Sequence, residues 1–485
     1  MGALQKIVVI GGGLAAHMSV AAMSKRLPDT IDITFVKTSA TEAQDIFYGN
    51  ITSPSTYDFL LGLAISEPQL LLNTNTSFSL GTKYVGWGSE SRSWTQAFYK
   101  PLPIHDGVKF HHYVNRVNNG ALSGAIDPYI MSVEAAKKGV FAHPPEGKNI
   151  PLASVNYGYH FSSVNWVQLL AKTLNAARVK VITANKEQLV SISRTANSLT
   201  LADGLVVEGD LFIDCRELSH SAHNEAWHES RLLSAYSETS PQSKINAVTT
   251  ALEKTSYGWR ARTPLRDQHI TTYFYHPRDK TLLPNTATKT ETQSTITVGR
   301  TDMPWTDNVL KLGHRAGAIE PLSPAPIMLL QQDIERLIEL IPTNRNMSVE
   351  AREYNRRFVQ DFDNAAIFHR ALFQDQASPA NQYEKTIITP KIPYKLQVKI
   401  TQFESRGICV LFDNELFNEE DWTLLHLGIG RTPTRYDPLA NRLSKSQIEQ
   451  MLSNMELAIS KMSTKMPPID IYMAGLLKFL KNKHG

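Results

Sequence analysis

Cysteine is nearly missing from this chain: two in 485 residues, Cys215 and Cys409. That leaves no basis for a disulfide framework or a cysteine-rich metal centre, and it points to a reducing, cytoplasmic location. Excess charge of one sign is missing as well. Fifty Lys and Arg against 46 Asp and Glu leave a net charge of +4, too little to argue for a nucleic-acid partner. No uncharged apolar run approaches the roughly 18 residues that a membrane helix needs, so no membrane partner is expected. There is no internal repeat and no low-complexity tract. At 485 residues the chain is too long for one small domain and suits a large α/β domain with a second, closely joined part.

What is present begins at Lys6. A short apolar run, Ile7 to Ile10, leads into Gly11, Gly12 and Gly13 and then an alanine-rich segment. The spacing Gly11-x-Gly13-x-x-Ala16 is the strand–turn–helix fingerprint of a dinucleotide-binding fold. Gly11 permits the tight turn, Gly13 lets the backbone approach a pyrophosphate, and Ala16 lets the helix pack on the strand. Leu14 and Ala15 open the helix, where N–H groups and the positive dipole end meet phosphates. A Gly-rich structural turn would look similar. A secretory signal would not carry three glycines followed by a second strand-like run. That second run, Ile31 to Lys37, ends on a lysine where an acidic residue often binds the adenosine ribose. Lysine cannot accept a ribose hydroxyl proton. Further sheet strands are expected at Val179–Thr183, Leu211–Asp214 and Val309–Leu312, and helices at Ile327–Ile341, Ser348–Phe373 and Ser444–Met462.

An ordered series of segments then narrows the reading. Gly49 to Glu67 is followed by Asn73 to Trp87, then Phe141-Ala142-His143-Pro144 and Tyr157-Gly158-Tyr159-His160-Phe161. Asp210 to Cys215, Tyr257 to Leu265, Asn308 to Leu322 and Trp422 to Pro438 complete the set. Together they resemble the flavin-dependent tryptophan halogenase family from about residue 5 to 475. The resemblance implies an α/β, FAD-binding Rossmann-like module of the GR2-type flavoprotein monooxygenases, joined to a mostly helical substrate module. It divides the chain into residues 1–345, with interleaved substrate-facing segments at about 48–160 and 225–285, and residues 346–485. It also implies FAD reduced by a separate reductase, an aromatic small-molecule substrate such as an indole, and a hypohalous oxidant that travels to a lysine beside the substrate, assisted by a glutamate.

The departures from the family pattern bear on function. Ser79 occupies the lysine position and Ser323 the glutamate position. Pro324 and Ala325 replace a Ser-Thr pair that helps hold halide; proline has no N–H and alanine no hydroxyl. Trp259 and Pro264 remain as substrate-facing residues. Among cofactor positions, Gly49 is followed by Asn50 in place of glutamate, and Gly313 by His314 in place of an aspartate. Gly317 is retained, while Arg216 and Glu217 replace small residues. Lys37, His314 and Arg216 add positive charge, with Arg315 beside them, so the pocket either favours an anionic ligand or has stopped binding FAD. Two functions follow: a flavin-dependent oxidoreductase or monooxygenase unable to halogenate, or a catalytically silent member that binds a ligand or partner.

Other residues carry weaker signals. His220, His223 and His228 lie in a segment read as helical, where a solvated face outweighs a metal site. His105, His111 and His112 read as loop or strand. Gly428-Ile429-Gly430 reads as a turn, and Ile448 to Met462 as an amphipathic helix facing the core. No metal site is expected.

Overall fold

The structure, a computed structural model, describes residues 3–38, 43–88, 91–118, 126–174, 178–184, 189–193, 197–217, 227–282, 291–374, 379–388 and 392–484. Its first sheet is built on β1, Lys6–Gly11, and β2, Asp32–Thr38. β1 pairs in parallel with β2 and with Leu211–Asp214. The sheet extends to Val179–Ala184 on one side and Val309–Lys311 on the other, all parallel. The two-residue strand Trp305–Thr306 closes it in the antiparallel sense. A parallel sheet buried on both faces needs continuously apolar strands, and Ile7 to Ile10 supply one, each fully buried. Alternation then sorts them. Ile7 and Val9 join the main core under α1, Leu14–Arg26, whereas Val8 and Ile10 pack with Val36, Leu199, Leu201 and Phe212 on the opposite face.

A second, eight-stranded sheet runs Gly317–Ala318, Glu291–Arg300, His228–Pro241, Gln268–Tyr275, Gly258–Pro264, Thr250–Thr255, Gly81–Trp87 and Arg92–Ala97. It is antiparallel except where Thr250–Thr255 meets Gly81–Trp87. A two-stranded ladder, Ser77–Ser79 with Gly158–His160, lies beside it. From Ser348 onward the described chain is helical apart from loops, through Ser348–Ala371, Tyr394–Arg406, Glu419–Ile429, Lys445–Lys465 and Ile469–His484. The whole is a mixed α/β architecture, with the first sheet carrying the Gly-rich turn and the second packing, through Glu291–Arg300, against the turn Ala43–Tyr48. No described helix is long and apolar enough to cross a membrane.

Two local readings are overturned. His228 opens the strand His228–Pro241 rather than sitting in a helix; ladders on both edges, to Gln268–Tyr275 and Glu291–Arg300, override local propensity there. His220 and His223 lie outside the described residues. His111 and His112 belong to the helix Phe110–Val117, not to a loop or strand, because Phe110, Tyr113 and Val114 share a buried face. Among the described residues no group of three His, Cys, Asp or Glu could hold a metal.

Candidate active site

The Gly-rich turn leaves β1 at Gly11 and enters α1 at Leu14. The first N–H groups of a helix have no partner within it and attract an anion. Here that anion is internal. Asp45, in the 3₁₀ turn Ala43–Tyr48, accepts a hydrogen bond from the Leu14 amide at 2.9 Å. A Cβ on Gly13 would lie 2.7 Å from the Asp45 carboxylate, so the small residue at 13 makes room for this chain's own side chain. His17, one turn into α1, hydrogen-bonds Gly13 O at 2.9 Å. Burial pushes its pKa down to about 4, so the ring is neutral and adds no charge to the turn.

The second cofactor segment closes over the same turn. Gly313 has φ +64, and a Cβ there would lie 2.5 Å from the Tyr48 hydroxyl and 2.8 Å from the Ala15 methyl. His314 stacks on Tyr48 with ring centroids 3.9 Å apart and meets Phe47 edge-on. Burial drives its pKa down to about 3. The expectation that His314 adds positive charge is therefore overturned: a fully buried imidazole with no acidic partner stays neutral. Arg216 keeps its charge and is drawn onto a neighbouring carboxylate. It clasps Asp214 through two hydrogen bonds of 2.7 Å, and Arg315 reaches the same carboxylate at 3.3 Å. Burial opposes ionisation of Asp214, but the Arg216 hydrogen bonds and the two guanidinium charges hold its carboxyl below the usual range. Lys37 sits half-buried at the end of β2, in register with Gly11. Gly49 follows the Tyr48 ring and overlies Pro321, and Gly317 begins the edge strand Gly317–Ala318. Tyr48, Gly313, His314 and Gly317 line a cavity of about 20 Å³ that they share with Leu330 and Phe358 of the helices behind them. With Asp45 on the helix terminus and Tyr48 against Gly313, these residues do not fit the FAD pyrophosphate as they stand.

The positions of the chemistry-bearing residues are also closed. Ser79 is fully buried, and its hydroxyl folds back on Gly81, 3.3 Å from the amide and 3.4 Å from the carbonyl. Lys83, on the adjacent strand, is exposed. At the other position the Ala325 amide donates to Ser323 Oγ at 3.1 Å, and that oxygen lies 2.7 Å from His369 Nε2. The N–H that follows Pro324 is thus already engaged. His369 Nδ1 faces the Glu320 carboxylate at 3.8 Å. Glu320 is fully buried and accepts from Tyr383 at 2.5 Å and from Arg231 Nε at 2.9 Å. Burial opposes its ionisation, and the Arg231 charge overcomes this and holds the carboxyl far below its ordinary range. Trp259 stacks on Phe274 and meets Tyr383 edge-on. The Pro264 carbonyl accepts from Ser77 at 2.7 Å.

Sequence reasoning placed Ser79 and Ser323 but missed Asp45 and the Arg231–Glu320–Tyr383–His369 network. It also missed a polar knot beside Phe78, in which Glu67 bonds His143 at 2.9 Å, Tyr159 at 2.6 Å and Tyr157 at 3.1 Å. His143 in turn bonds the Tyr472 hydroxyl at 2.6 Å. These partners stand tens to hundreds of residues apart, and no local pattern links them.

Comparison with known proteins adds an independent line. The sequence profile described as tryptophan halogenase matches residues 6–445. The tryptophan 7-halogenase RebH of Lentzea aerocolonigenes is 23% identical over 426 residues, covering 77% of this chain and 76% of its own. A flavin-dependent halogenase from Xanthomonas campestris superposes with a TM-score of 0.85 at 24% identity, covering 98% of both chains. Another from Brevundimonas reaches 0.85 at 22% identity, over 98% of this chain and 99% of that one. At these identities the superpositions establish the fold alone.

Proposed function

The chain belongs to the tryptophan halogenase family, and from that premise we propose that it is a silent member: it keeps the scaffold, does not halogenate, and serves as a ligand- or partner-binding protein. The observation that carries this is the pair of buried serines. A halogenase of this family needs an amine to capture the oxidant and a carboxylate to assist its attack on the arene. Ser79 offers a hydroxyl turned onto its own backbone, and Ser323 one bonded to His369. The nearby carboxylate, Glu320, is already held by Arg231 and Tyr383. The family implies use of FAD supplied by a separate reductase and a tryptophan or other indole as substrate. In this chain the relation to an indole would survive as binding without halogen transfer, while Asp45 on the helix terminus weighs against tight binding of FAD. The cytoplasmic location belongs to the same proposal and rests on the scarcity of cysteine.

The test supplies the purified protein with a flavin reductase, NADH, FAD, oxygen, chloride or bromide, and tryptophan or indole. Mass spectrometry should find no halogenated product. Halogenated tryptophan or indole above a protein-free control would overturn the proposal. Oxygenated product without halide would instead favour the monooxygenase reading.

A further inference from the structure

We propose that the turn Ala43–Tyr48 is a latch that closes the nucleotide half of the cradle, with the Asp45 carboxylate standing where a pyrophosphate would bind. The latch is held at several points. Asp45 accepts from the Leu14 amide at 2.9 Å. The Gln44 amide donates to Glu217 Oε1 at 2.8 Å, and the Ser163 hydroxyl donates to the Asp45 carbonyl at 3.4 Å. Phe47 is fully buried, and Tyr48 stacks on His314.

Two of these anchors, Glu217 and His314, are residues where the chain departs from the family's flavin-contacting pattern. Each departure loses a flavin contact and gains a contact with the turn. A glutamate at 217 reaches a backbone amide that a small residue could not. A neutral imidazole at 314 offers a flat face for Tyr48, where an aspartate would bury an unpaired charge. The substitutions read as parts of one device, not as scattered erosion. Its consequence is electrostatic: a phosphate approaching Leu14 meets a carboxylate a few ångströms away, already holding the donor it needs.

The inference concerns nucleotide binding and stands apart from the loss of halogenation. The test is calorimetric titration of the purified full chain with FAD and, separately, with ADP, which carries a pyrophosphate without the flavin ring. The wild type should bind both weakly, with Kd above about 1 mM. Asp45→Asn keeps the shape and an oxygen for Leu14 but removes the charge. It should bind both ligands at least about tenfold more tightly. Glu217→Gln, which weakens the anchor at Gln44 without touching the helix terminus, should shift affinity in the same direction by less. Circular dichroism checks that each variant is folded. Stoichiometric FAD binding by the wild type would overturn the latch, as would an Asn variant that is folded and binds no better. Should Asp45→Asn fail to fold, the Glu217→Gln titration decides: an unchanged affinity counts against the latch. A wild type that binds FAD tightly yet yields no halogenated product would sink the latch and leave the proposed function standing.

Discussion

Glu320 lies at the centre of the closed site, and its charge is answered mainly from one side. Arg231 and Tyr383 converge on one of its oxygens, while the other faces His369 at 3.8 Å. Breaking a buried ion pair by removing one partner leaves a desolvated charge and costs about 3–5 kcal/mol. Arg231→Met should show that loss in urea unfolding at pH 7. The sign of its pH dependence follows from linkage. In the wild type the folded pKa lies below the unfolded value of 4.5, so the contribution is fully present above that value and is lost as pH falls beneath it. Without Arg231, burial, the largest influence on this carboxyl, is opposed only by His369 and Tyr383, so the folded pKa rises and the variant's deficit should shrink as pH is lowered from 7 towards 5. A deficit that does not change with pH would mean that packing, not charge, carries the cost. The same site limits repair. Ser79→Lys with Ser323→Glu should not restore halogenation, because Pro324 still lacks an N–H and the Ala325 position still lacks a hydroxyl for halide. Chlorinated product from that double variant, with reductase and chloride present, would contradict this. At this scale the sequence revealed replacements but not their new partners. Ser79 and Ser323 could be placed by motif, whereas Arg231, His369 and Tyr383 reach Glu320 from separate elements that only folding brings together.

Among the elements, legibility followed how local the signal is. β1, α1 and β2 were readable because an apolar run, a Gly-rich turn and a helix occur together within about thirty residues. The eight-stranded sheet was not, because its strands are defined by long-range ladders and carry mixed burial; His228–Pro241 even starts in a segment with helical local character. The helix Phe110–Val117 was missed for a related reason. Its anchor is a distant carbonyl: His111 Nε2 bonds Gly407 O at 2.8 Å, at the end of the helix Tyr394–Arg406. That tie makes a pH prediction. Burial lowers the His111 pKa from 6.5 to about 4. A depressed folded pKa means that the contribution is complete above pH 6.5 and is lost as pH falls towards 4. The shift is worth on the order of 3 kcal/mol. Unfolding free energy measured by denaturant at steps across this window should fall on acidification. His111→Gln, whose amide can still donate to Gly407 O, should make the slope shallower by about one proton. An unchanged slope would place the titration elsewhere, with His17 and His112 the next to examine, since burial depresses both.

For the whole molecule, the sequence suggested a cut near residue 345, between a flavin module and a helical module. Physical continuity across that cut argues for one folding unit. A single apolar cluster runs from Leu4 to Leu480 and draws on both sides. Arg336, in the helix Ala325–Glu339, is buried between Asp333 and Asp361, and Asp361 belongs to the helix Ser348–Ala371. Removing residues 346–485 would take away Asp361 and strip Phe358, Phe362 and Phe368 from the core, leaving a large apolar face in water. We therefore predict that residues 1–345 alone will not form a soluble folded protein, and that the intact chain will unfold in one calorimetric transition with matching calorimetric and van't Hoff enthalpies. A soluble fragment with a cooperative melt, or two separated transitions in the intact chain, would show that the boundary inferred from the sequence marks a true domain border. The distinction matters for the latch. In a single cooperative unit, the helices behind Gly313 and His314 support the turn that holds Asp45, so urea-induced exposure of the Gly-rich turn should coincide with global unfolding. Hydrogen exchange at Trp422 reports the distant helical part and hydrogen exchange at Leu14 reports the turn; coincident midpoints are the expected result, and an earlier opening at Leu14 would mean that the latch releases by itself.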